Sequence, residues 1–472
     1  MMTATQSVEI SSDIIVRIGA LADRHGVEAY LVGGYVRDIL LGKEGKDIDI
    51  VVVGDAIAFA GSVAGEFGKS EVVTYERFGT AMLPLGEWKI EFVTAREESY
   101  EHSSRKPSVK RASLESDLSR RDFTINTMAV SINKDRFGEL LDPYNGRVDL
   151  KNRILRTPLE PEKTFDDDPL RMMRAVRFTS QLHCKIEQSV YTAIQKMAPR
   201  IEIVSKERTT DEFFKILCSS KPSIGMKLLY ETGLMRHVFP ELLEMVGVEQ
   251  RQDHHHKDVF AHTLKVVDGV SQTSENIWLR FVSLVHDIAK PRTKAFKEEI
   301  GWTFHGHEEI GARMMKTIFR RMRLPLDKLN YVEKLVRLHL RPMVLVSEEV
   351  TDSAIRRLMF EAREDIDDLM LLCRADITSQ NPQRVSRYLK NYDVVLKKMK
   401  EVEEKDRIRS WQPPVRGDEI MEICRIKPGR LVGVLKKKIE DAILDGEIPN
   451  EHDSALAFLL SIKDQIISEY SE

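Results

Sequence analysis

The apolar positions of this chain change period along its length. Ile10, Ile14, Ile18, Leu21 and Ala22 recur at helical spacing. From Leu31 to Val53 the pattern switches: Tyr30, Leu31 and Val32 are an apolar run, Gly33 and Gly34 interrupt it, YVRDILL reads as a short helix, and DIDIVVV reads as a second strand. AIAFAGSVAGEFG is again helical, and EVVTY, TAMLPL and KIEFVTA are strands punctuated by Gly79 and Gly86. Residues 96–107 have no period and read as a mobile loop. GELLDPYNGRVDLKNRILR is a turn-rich closing segment with Asp142, Pro143 and Gly146. Past residue 180 strand signals nearly vanish. SVYTAIQKMAPRI, TDEFFKILCS and SIGMKLLYETGLM are amphipathic helices, and the tail beyond about residue 385 is helical and highly charged, with a break at Pro413 and Pro414. The fold class is therefore an α+β head with a mixed sheet, then an all-α neck and further helical domains. The expected divisions are residues 1–155, 156–245, 246–385 and 386–472.

Composition narrows this picture. A length of 472 residues suggests roughly three or more domains. With 42% hydrophobic and 31% charged residues, a large core and a well-solvated surface are both possible. No apolar run is long enough for a membrane span, and MMTATQSVEI lacks the basic start and apolar segment of a secretory signal, so a cytoplasmic location without membrane partners is expected. Cys184, Cys218, Cys373 and Cys424 lie far apart without a CxxC pair, which excludes a zinc ribbon or disulfide scaffold and leaves them as buried thiols. A net charge of −3 argues against indiscriminate coating of nucleic acid, while leaving room for a local basic surface.

The first candidate chemistry sits at the period switch. A turn at Gly33 and Gly34 would free backbone N–H groups for phosphate oxygens. Asp47 and Asp49 are two apart on a strand, so both carboxylates leave one face while Ile48 and Ile50 point the other way. Such a pair can clamp magnesium, which takes hard oxygen ligands from one or two carboxylates plus substrate phosphates. Glu91 is either a third carboxylate of this set or an edge-strand charge facing water. The whole segment, GGxVRDxLLGxxxxDxD, resembles the first signature of the nucleotidyltransferases related to DNA polymerase β, in the class containing bacterial tRNA CCA-adding enzymes and poly(A) polymerases. The resemblance implies that Asp47, Asp49 and Glu91 are catalytic, that magnesium is the cofactor and that Arg37 joins the nucleotide contacts. It also likens residues 96–107 to the flexible loop used in the switch from cytidine to adenosine.

Two further segments follow. In LSRRDFTINTM, Arg120 and Arg121 can neutralise a triphosphate, and Asp122 and Asn126 share a face at helical spacing, where they can bind ribose hydroxyls. Alone, RRD would be a surface ion-pair cluster; it closely resembles the family's RRDFTIN motif. In FDDDPLRMMRAVRF, a helix begins after Pro169, and Asp168 and Arg171 stand three apart. Cytosine and adenine each present an exocyclic amine beside a ring-nitrogen acceptor, so a carboxylate with a guanidinium complements both and mismatches uracil and guanine. The plainer alternative is a helix cap with an ordinary ion pair. The family pattern is EDxxR, with Asp167 standing here where Glu is usual. Arg174 and Arg177 would extend the basic face toward phosphates.

A second centre lies between His254 and Asp376. His262, His286, Asp287, His305, His307, His339 and Asp376 supply imidazoles and carboxylates suited to transition metals, with the adjacent His286 and Asp287 inside an apolar helix. The ordered series resembles the HD phosphohydrolase superfamily, which implies a divalent metal at His262, His286, Asp287 and Asp376, with His307 and His339 assisting a second metal or phosphate. The HHH run at 254–256 reads as a polar loop. In the tail, Gly429 and Gly433 allow tight approach, and Lys427, Arg430, Lys436, Lys437 and Lys438 form a basic stripe that is either a solvated helix face or, by resemblance to a KPGxxVGxxL segment, an RNA contact.

Together these imply template-independent completion of the 3′-terminal CCA of tRNA from CTP and ATP, with an HD phosphatase or phosphodiesterase activity. The partners would be tRNA, CTP and ATP, with homodimerisation open. The rivals are a poly(A) polymerase or a CC- or A-only enzyme of the same family, a phosphohydrolase whose other half binds RNA, and a non-catalytic RNA-binding protein.

Overall fold

The computed structural model describes residues 7–43, 45–69, 71–99, 108–249, 258–299, 301–347, 351–378, 381–406 and 414–470. The chain divides into two compact units, Met1–Pro240 and Glu241–Glu472.

In the first unit the apolar segments pair into a sheet whose inner strands carry its buried residues, while the edge strand Val73–Tyr75 is exposed. After α1 (Asp13–His25), which closes on Gly26 in the left-handed conformation, come β1 (Glu28–Val32), α2 (Gly33–Leu40), β2 (Asp47–Val53) and α3 (Ala56–Glu66). Ile10, expected in the first helix, precedes it. The Asp55 side chain accepts from Ala58 N at 3.0 Å and fixes the start of α3. Next are β3 (Val73–Tyr75), β4 (Thr80–Leu85), β5 (Trp88–Thr94), β6 (Arg96–Ser99), β7 (Ser108–Arg111), α4 (Leu114–Ser119), β8 (Ala129–Ser131) and β9 (Leu140–Leu141). Seven of these strands form one mixed sheet in the order β3-β4-β5-β2-β1-β8-β9. β2 is central, antiparallel to β1 and parallel to β5, and Ile48, Ile50 and Val51 on it are completely buried.

The aperiodic stretch expected from residue 96 begins instead as β6, which pairs antiparallel with β7. Backbone pairing needs no hydrophobic alternation, so the pattern hid it; residues 100–107 lie outside the described residues. Helix α5 (Gly146–Asn152) closes the head, and α6 (Pro161–Asp167), α7 (Leu170–Leu182), α8 (Gln188–Met197) and α9 (Lys206–Leu217) then build the neck. α7 buries Met172, Met173, Ala175, Val176 and Phe178 and packs against α9, whose Phe213 and Ile216 are also buried.

The second unit is helical. Helices Val259–Thr273, Ile277–Val285, His307–Met322, Leu329–Leu338 and Ile366–Asp376 enclose a core of Val, Leu, Ile and Phe. A short hairpin, Ala295–Lys297 with Gly301–Thr303, interrupts them; three-residue strands are too brief to show alternation. The tail helices Gly417–Cys424, Arg430–Asp445 and His452–Glu469 close on their own apolar cluster around Ile420, Leu435, Ile439 and Leu459. Among the described residues nothing lies within 4 Å of where a Cβ would stand on Gly433, and on Gly429 only the Lys427 carbonyl does, at 3.9 Å, so no described protein neighbour uses the close approach these glycines allow. Cys184 and Cys373 are buried as expected; Cys218, however, is exposed because it ends α9 at a turn. Among the described residues no helix is long and apolar enough to cross a membrane.

Candidate functional site

In the first unit, the two glycines open α2 rather than a free turn. Gly33 sits at φ 69°, and a Cβ there would stand 3.1 Å from an Arg121 guanidinium nitrogen and 3.2 Å from Asp49 Oδ2. Both the backbone angle and the approach require glycine. The N-terminus of α2 thus packs close against the Asp49 carboxylate and lines the same cavity.

Asp47 and Asp49 project from one face of β2, and in the parallel ladder with β5 Asp49 stands directly beside Glu91. Burial pushes the Asp49 carboxyl up; Arg121 opposes this, but the neighbouring Glu91 and Asp47 charges add to it, and the pKa reaches about 6. Crowded hard-oxygen donors of this kind fit a divalent cation such as magnesium. Glu91 itself is not part of the cavity wall.

That wall encloses about 750 Å³ and brings together Gly33, Gly34, Arg37, Asp47, Asp49, Arg120, Arg121, Asp122, Asn126, Asp168, Arg171, Arg174 and Arg177. The arginines are held by acids. Asp117, fully buried, takes Arg120 at 2.5 Å and Arg121 at 3.0 Å. Burial alone would raise the Asp117 pKa, but the two guanidinium groups outweigh it and hold the carboxyl below its usual value. Asp122 accepts from Asn126 Nδ2 at 3.0 Å and pairs with Arg174 at 2.6 Å. Here too the partners overcome burial, and the Asp122 pKa falls to about 2. Arg37 donates to Asn126 Oδ1 at 3.0 Å, and Arg177 meets buried Glu212 at 3.2 Å.

Two spacing arguments are corrected. Asp122 and Asn126 do meet, but through a bend and a short 3₁₀ turn, Thr124–Asn126, instead of an α-helix. Asp168 and Arg171 do not pair. Asp168 ends α6 with extended backbone, accepts from Leu170 N at 3.2 Å and meets Arg208 of α9 at 3.2 Å. Arg171, only 9% exposed, donates to the Thr164 carbonyl at 3.2 Å and the Arg120 carbonyl at 2.6 Å. The Thr164 carbonyl in the last turn of α6 and the Arg120 carbonyl at the end of α4 compete successfully for the guanidinium.

Sequence reasoning also missed wall residues Gln181, Arg208, Asp211, Glu212 and Lys215, which come from α7 and α9. Asp117 was visible in principle, three and four positions before the arginines it holds. Phe178 was overlooked as well: the Arg37, Arg174 and Arg177 guanidinium carbons lie 5.3, 5.2 and 4.6 Å from its ring centre.

The second unit holds its own cluster. His262, His286 and Asp376 offer ligand atoms to one point, and Asp287, His307 and His339 to another. Asp287 lies between: its Oδ2 is 3.3 Å from His286 Nε2, and its Oδ1 is 3.3 Å from His307 Nε2 and 3.7 Å from His339 Nε2. Each ring is anchored through Nδ1. His286, His307 and His339 bond the carbonyls of Ser283, Phe304 and Val336 at 2.9, 2.7 and 2.7 Å, and His262 bonds Thr378 Oγ1 at 2.8 Å. With Nδ1–H so engaged, Nε2 is left as the inward ligand atom. His286 Nε2 is buried and has no hydrogen-bond partner among the described residues, which fits a metal. Burial disfavours a charged His286, but Asp287 and Asp376 prevail and lift its pKa to about 10; burial and then His286 push His339 down to about 3. Residues 254–256 lie outside the described residues. In the tail Lys427, Arg430 and Lys437 are exposed and Lys436 is half-buried, and the Arg430 guanidinium lies 5.7 Å from the centre of the Tyr470 ring.

A carboxylate pair on a central strand, facing a glycine-opened helix and an arginine-lined cavity, defines a nucleotidyl-transferring head. The Poly A polymerase head domain matches residues 29–156, the Probable RNA and SrmB-binding site of polymerase A matches 184–245, and the HD domain matches 259–381. The A-adding tRNA nucleotidyltransferase of Deinococcus radiodurans is 31% identical over 437 residues, covering 89% of this chain and 92% of that protein. The Multifunctional CCA protein of Methylococcus capsulatus is 31% identical over 364 residues, covering 74% and 81%. A solved tRNA nucleotidyltransferase, complexed with a primer tRNA and an incoming ATP analog, has a TM-score of 0.58 and 25% identity, covering 82% of this chain and 99% of that one. The chain belongs to the tRNA nucleotidyltransferase family, as an enzyme with a fused HD domain.

Proposed function

We propose that this enzyme adds nucleotides to the 3′ end of tRNA without a template, completing CCA from CTP and ATP and releasing pyrophosphate. The observation that carries this reading is the single cavity in which Asp47 and Asp49 face Gly33 and the Asp117-held arginines, with the Asp168 segment on the same wall. Asp47 and Asp49 would hold magnesium, with Glu91 beside them. When bound, that ion neutralises charge on the α-phosphate and favours ionisation of the attacking 3′-hydroxyl. Gly33, Gly34, Arg120 and Arg121 receive the triphosphate. Arg37, Asp122, Asn126, Arg174 and Arg177 shape the sugar and phosphate end. Asp168 and Arg171 border the base, and Lys427, Arg430, Lys436 and Lys437 offer the tRNA body a basic surface. The reaction belongs in the cytoplasm and is compatible with a homodimer.

Addition of A alone is a second reading, favoured by the name of the Deinococcus relative that spans most of the chain. Labelled CTP and ATP offered to tRNA ending before CCA and to tRNA ending in CC separate the two. Ordered C, C and A on the first substrate supports CCA completion; A on the second with no C on the first supports the narrower enzyme. Long A tails would identify a poly(A) polymerase.

The second unit is read as a metal-dependent hydrolase of phosphate esters, with His262, His286, Asp287 and Asp376 as ligands and His307 and His339 completing the set.

A further inference from the structure

The two aspartates of β2 divide the face of the sheet into halves of different character. In the order β4-β5-β2-β1, β2 has β1 on one side and β5 on the other. On the β1 side α2 begins directly after Val32, and Gly33, Gly34, Arg120 and Arg121 line the arginine-rich cavity. On the β5 side the register places Lys89 beside Asp47 and Glu91 beside Asp49, and neither of them lines that cavity. Partners across a ladder leave the same face of a sheet, so Lys89 projects on the side of both aspartates. The face continues on β4 with Pro84, partner of Lys89, and Met82, partner of Glu91, neither of which carries charge.

Lys89 differs from the other cations around the aspartates. Arg120 and Arg121 are paired with Asp117, Arg174 with Asp122 and Arg177 with Glu212, while Lys46, next to Asp47, is taken up by Glu87. Lys89 is exposed and has no carboxylate within 4 Å among the described residues, yet its charge is felt by Asp49, whose carboxyl it helps to ionise. An ammonium beside carboxylates suited to a divalent cation opposes that cation, and a phosphate drawn to the ammonium offsets the opposition.

Reaction geometry says which phosphate belongs there. In nucleotidyl transfer the 3′-oxygen of the tRNA forms a bond to the α-phosphorus, the bond to the bridging oxygen of pyrophosphate breaks, and the hydroxyl proton passes to water. The entering and leaving oxygens stand in line on opposite sides of phosphorus. With the triphosphate received by the arginines on the β1 side, the tRNA end approaches over β5. We infer that Lys89 binds the 3′-terminal phosphodiester of the tRNA and holds the primer end over β5, opposite the triphosphate. This rests on the proposed addition to tRNA and on the arginines as the triphosphate site.

The test uses the full chain at pH 8, well above the Asp49 pKa of about 6, and a tRNA ending before CCA or in CC, whichever the wild type extends. Lys89→Ala should raise both the Kd of that tRNA, measured without nucleotide, and its KM about fourfold at about 0.15 M salt, and should lower the slope of log Kd against log salt by about 0.7, the share of one phosphate on a single strand. KM for CTP and ATP and the magnesium requirement should stay as in the wild type, and Lys89→Arg should restore tRNA binding. An uncharged methylphosphonate in place of the 3′-terminal phosphodiester should weaken binding to the wild type as much as Lys89→Ala does. The two changes together should cost no more than either alone. Additive losses would show that Lys89 does not touch that phosphate and would overturn the inference. So would an unchanged tRNA affinity, a loss shared equally by the KM for the triphosphates, or a change confined to the magnesium requirement. A wild type that extends neither tRNA would remove the proposed addition itself, whereas each of the other outcomes leaves it standing.

Discussion

The guanidinium of Arg171 donates to the backbone carbonyl of Arg120 at 2.6 Å, joining positions 51 residues apart. The segment proposed to border the base is thereby tied to the backbone of Arg120, proposed to receive the triphosphate. Replacing Arg171 with Ala leaves the Thr164 and Arg120 carbonyls without these donors, at a cost of about 1–3 kcal/mol each. Urea denaturation should show that loss. Incorporation assays should show weaker discrimination against UTP and GTP, and Arg171→Lys, with a single ammonium for two diverging carbonyls, should recover only part of either property.

Asp117 does not line the cavity, yet it fixes Arg120 and Arg121, which do. Asp117→Asn removes the charge that fixes Arg120 and Arg121. Breaking a buried pair from one side costs about 3–5 kcal/mol, and a neutral amide that keeps part of the hydrogen bonding should cost less. Steady-state kinetics should give a KM for both nucleoside triphosphates raised at least about tenfold, with binding of the tRNA body unchanged. A change confined to kcat would count against this role.

Asp49 must lose its proton before it can ligate a cation. Its pKa of about 6 lies above that of an ordinary carboxyl, so at pH 7 it is mostly charged and at pH 5 mostly protonated. The magnesium concentration needed for half-maximal incorporation should therefore rise about tenfold per pH unit below 6 and level off above 7. Glu91→Gln removes one of the charges that raise Asp49 and should move the break in this profile to lower pH.

The two centres belong to separate compact units, and their chemistry should separate too. Asp287→Asn takes away the carboxylate that stands between the two ligand groups and should abolish phosphate ester hydrolysis, while nucleotide incorporation stays within about twofold. Asp49→Ala should do the reverse. Loss of both activities in either variant would point to unfolding, which circular dichroism checks.

Much of this was legible because it is local. The strand carrying Asp47 and Asp49 announces itself by alternation, and Gly33 by the break in the apolar run. The HD ligands were readable as residue types suited to metals, although their division into two groups around Asp287 was not. That division depends on helices far apart in sequence, as do the pairing of Asp168 with Arg208 and of Arg177 with Glu212. The i,i+3 spacing brings Asp168 and Arg171 to one cavity wall but not to each other, because Arg208 takes the carboxylate and the Thr164 and Arg120 carbonyls take the guanidinium. Spacing proposes neighbours; the carbonyls of a terminated helix then compete for them.

His286 and His339 each stand at the C-terminal boundary of a helix, and each bonds a carbonyl three residues back through Nδ1. The same bond that aims Nε2 inward also closes the last turn of its helix. Folding and ligation therefore select for the same two rings. If a descendant of this protein lacked the proposed hydrolysis, these histidines would still be retained as helix stops, while Asp376 would be released to vary. Erosion of such a centre should begin at its carboxylates.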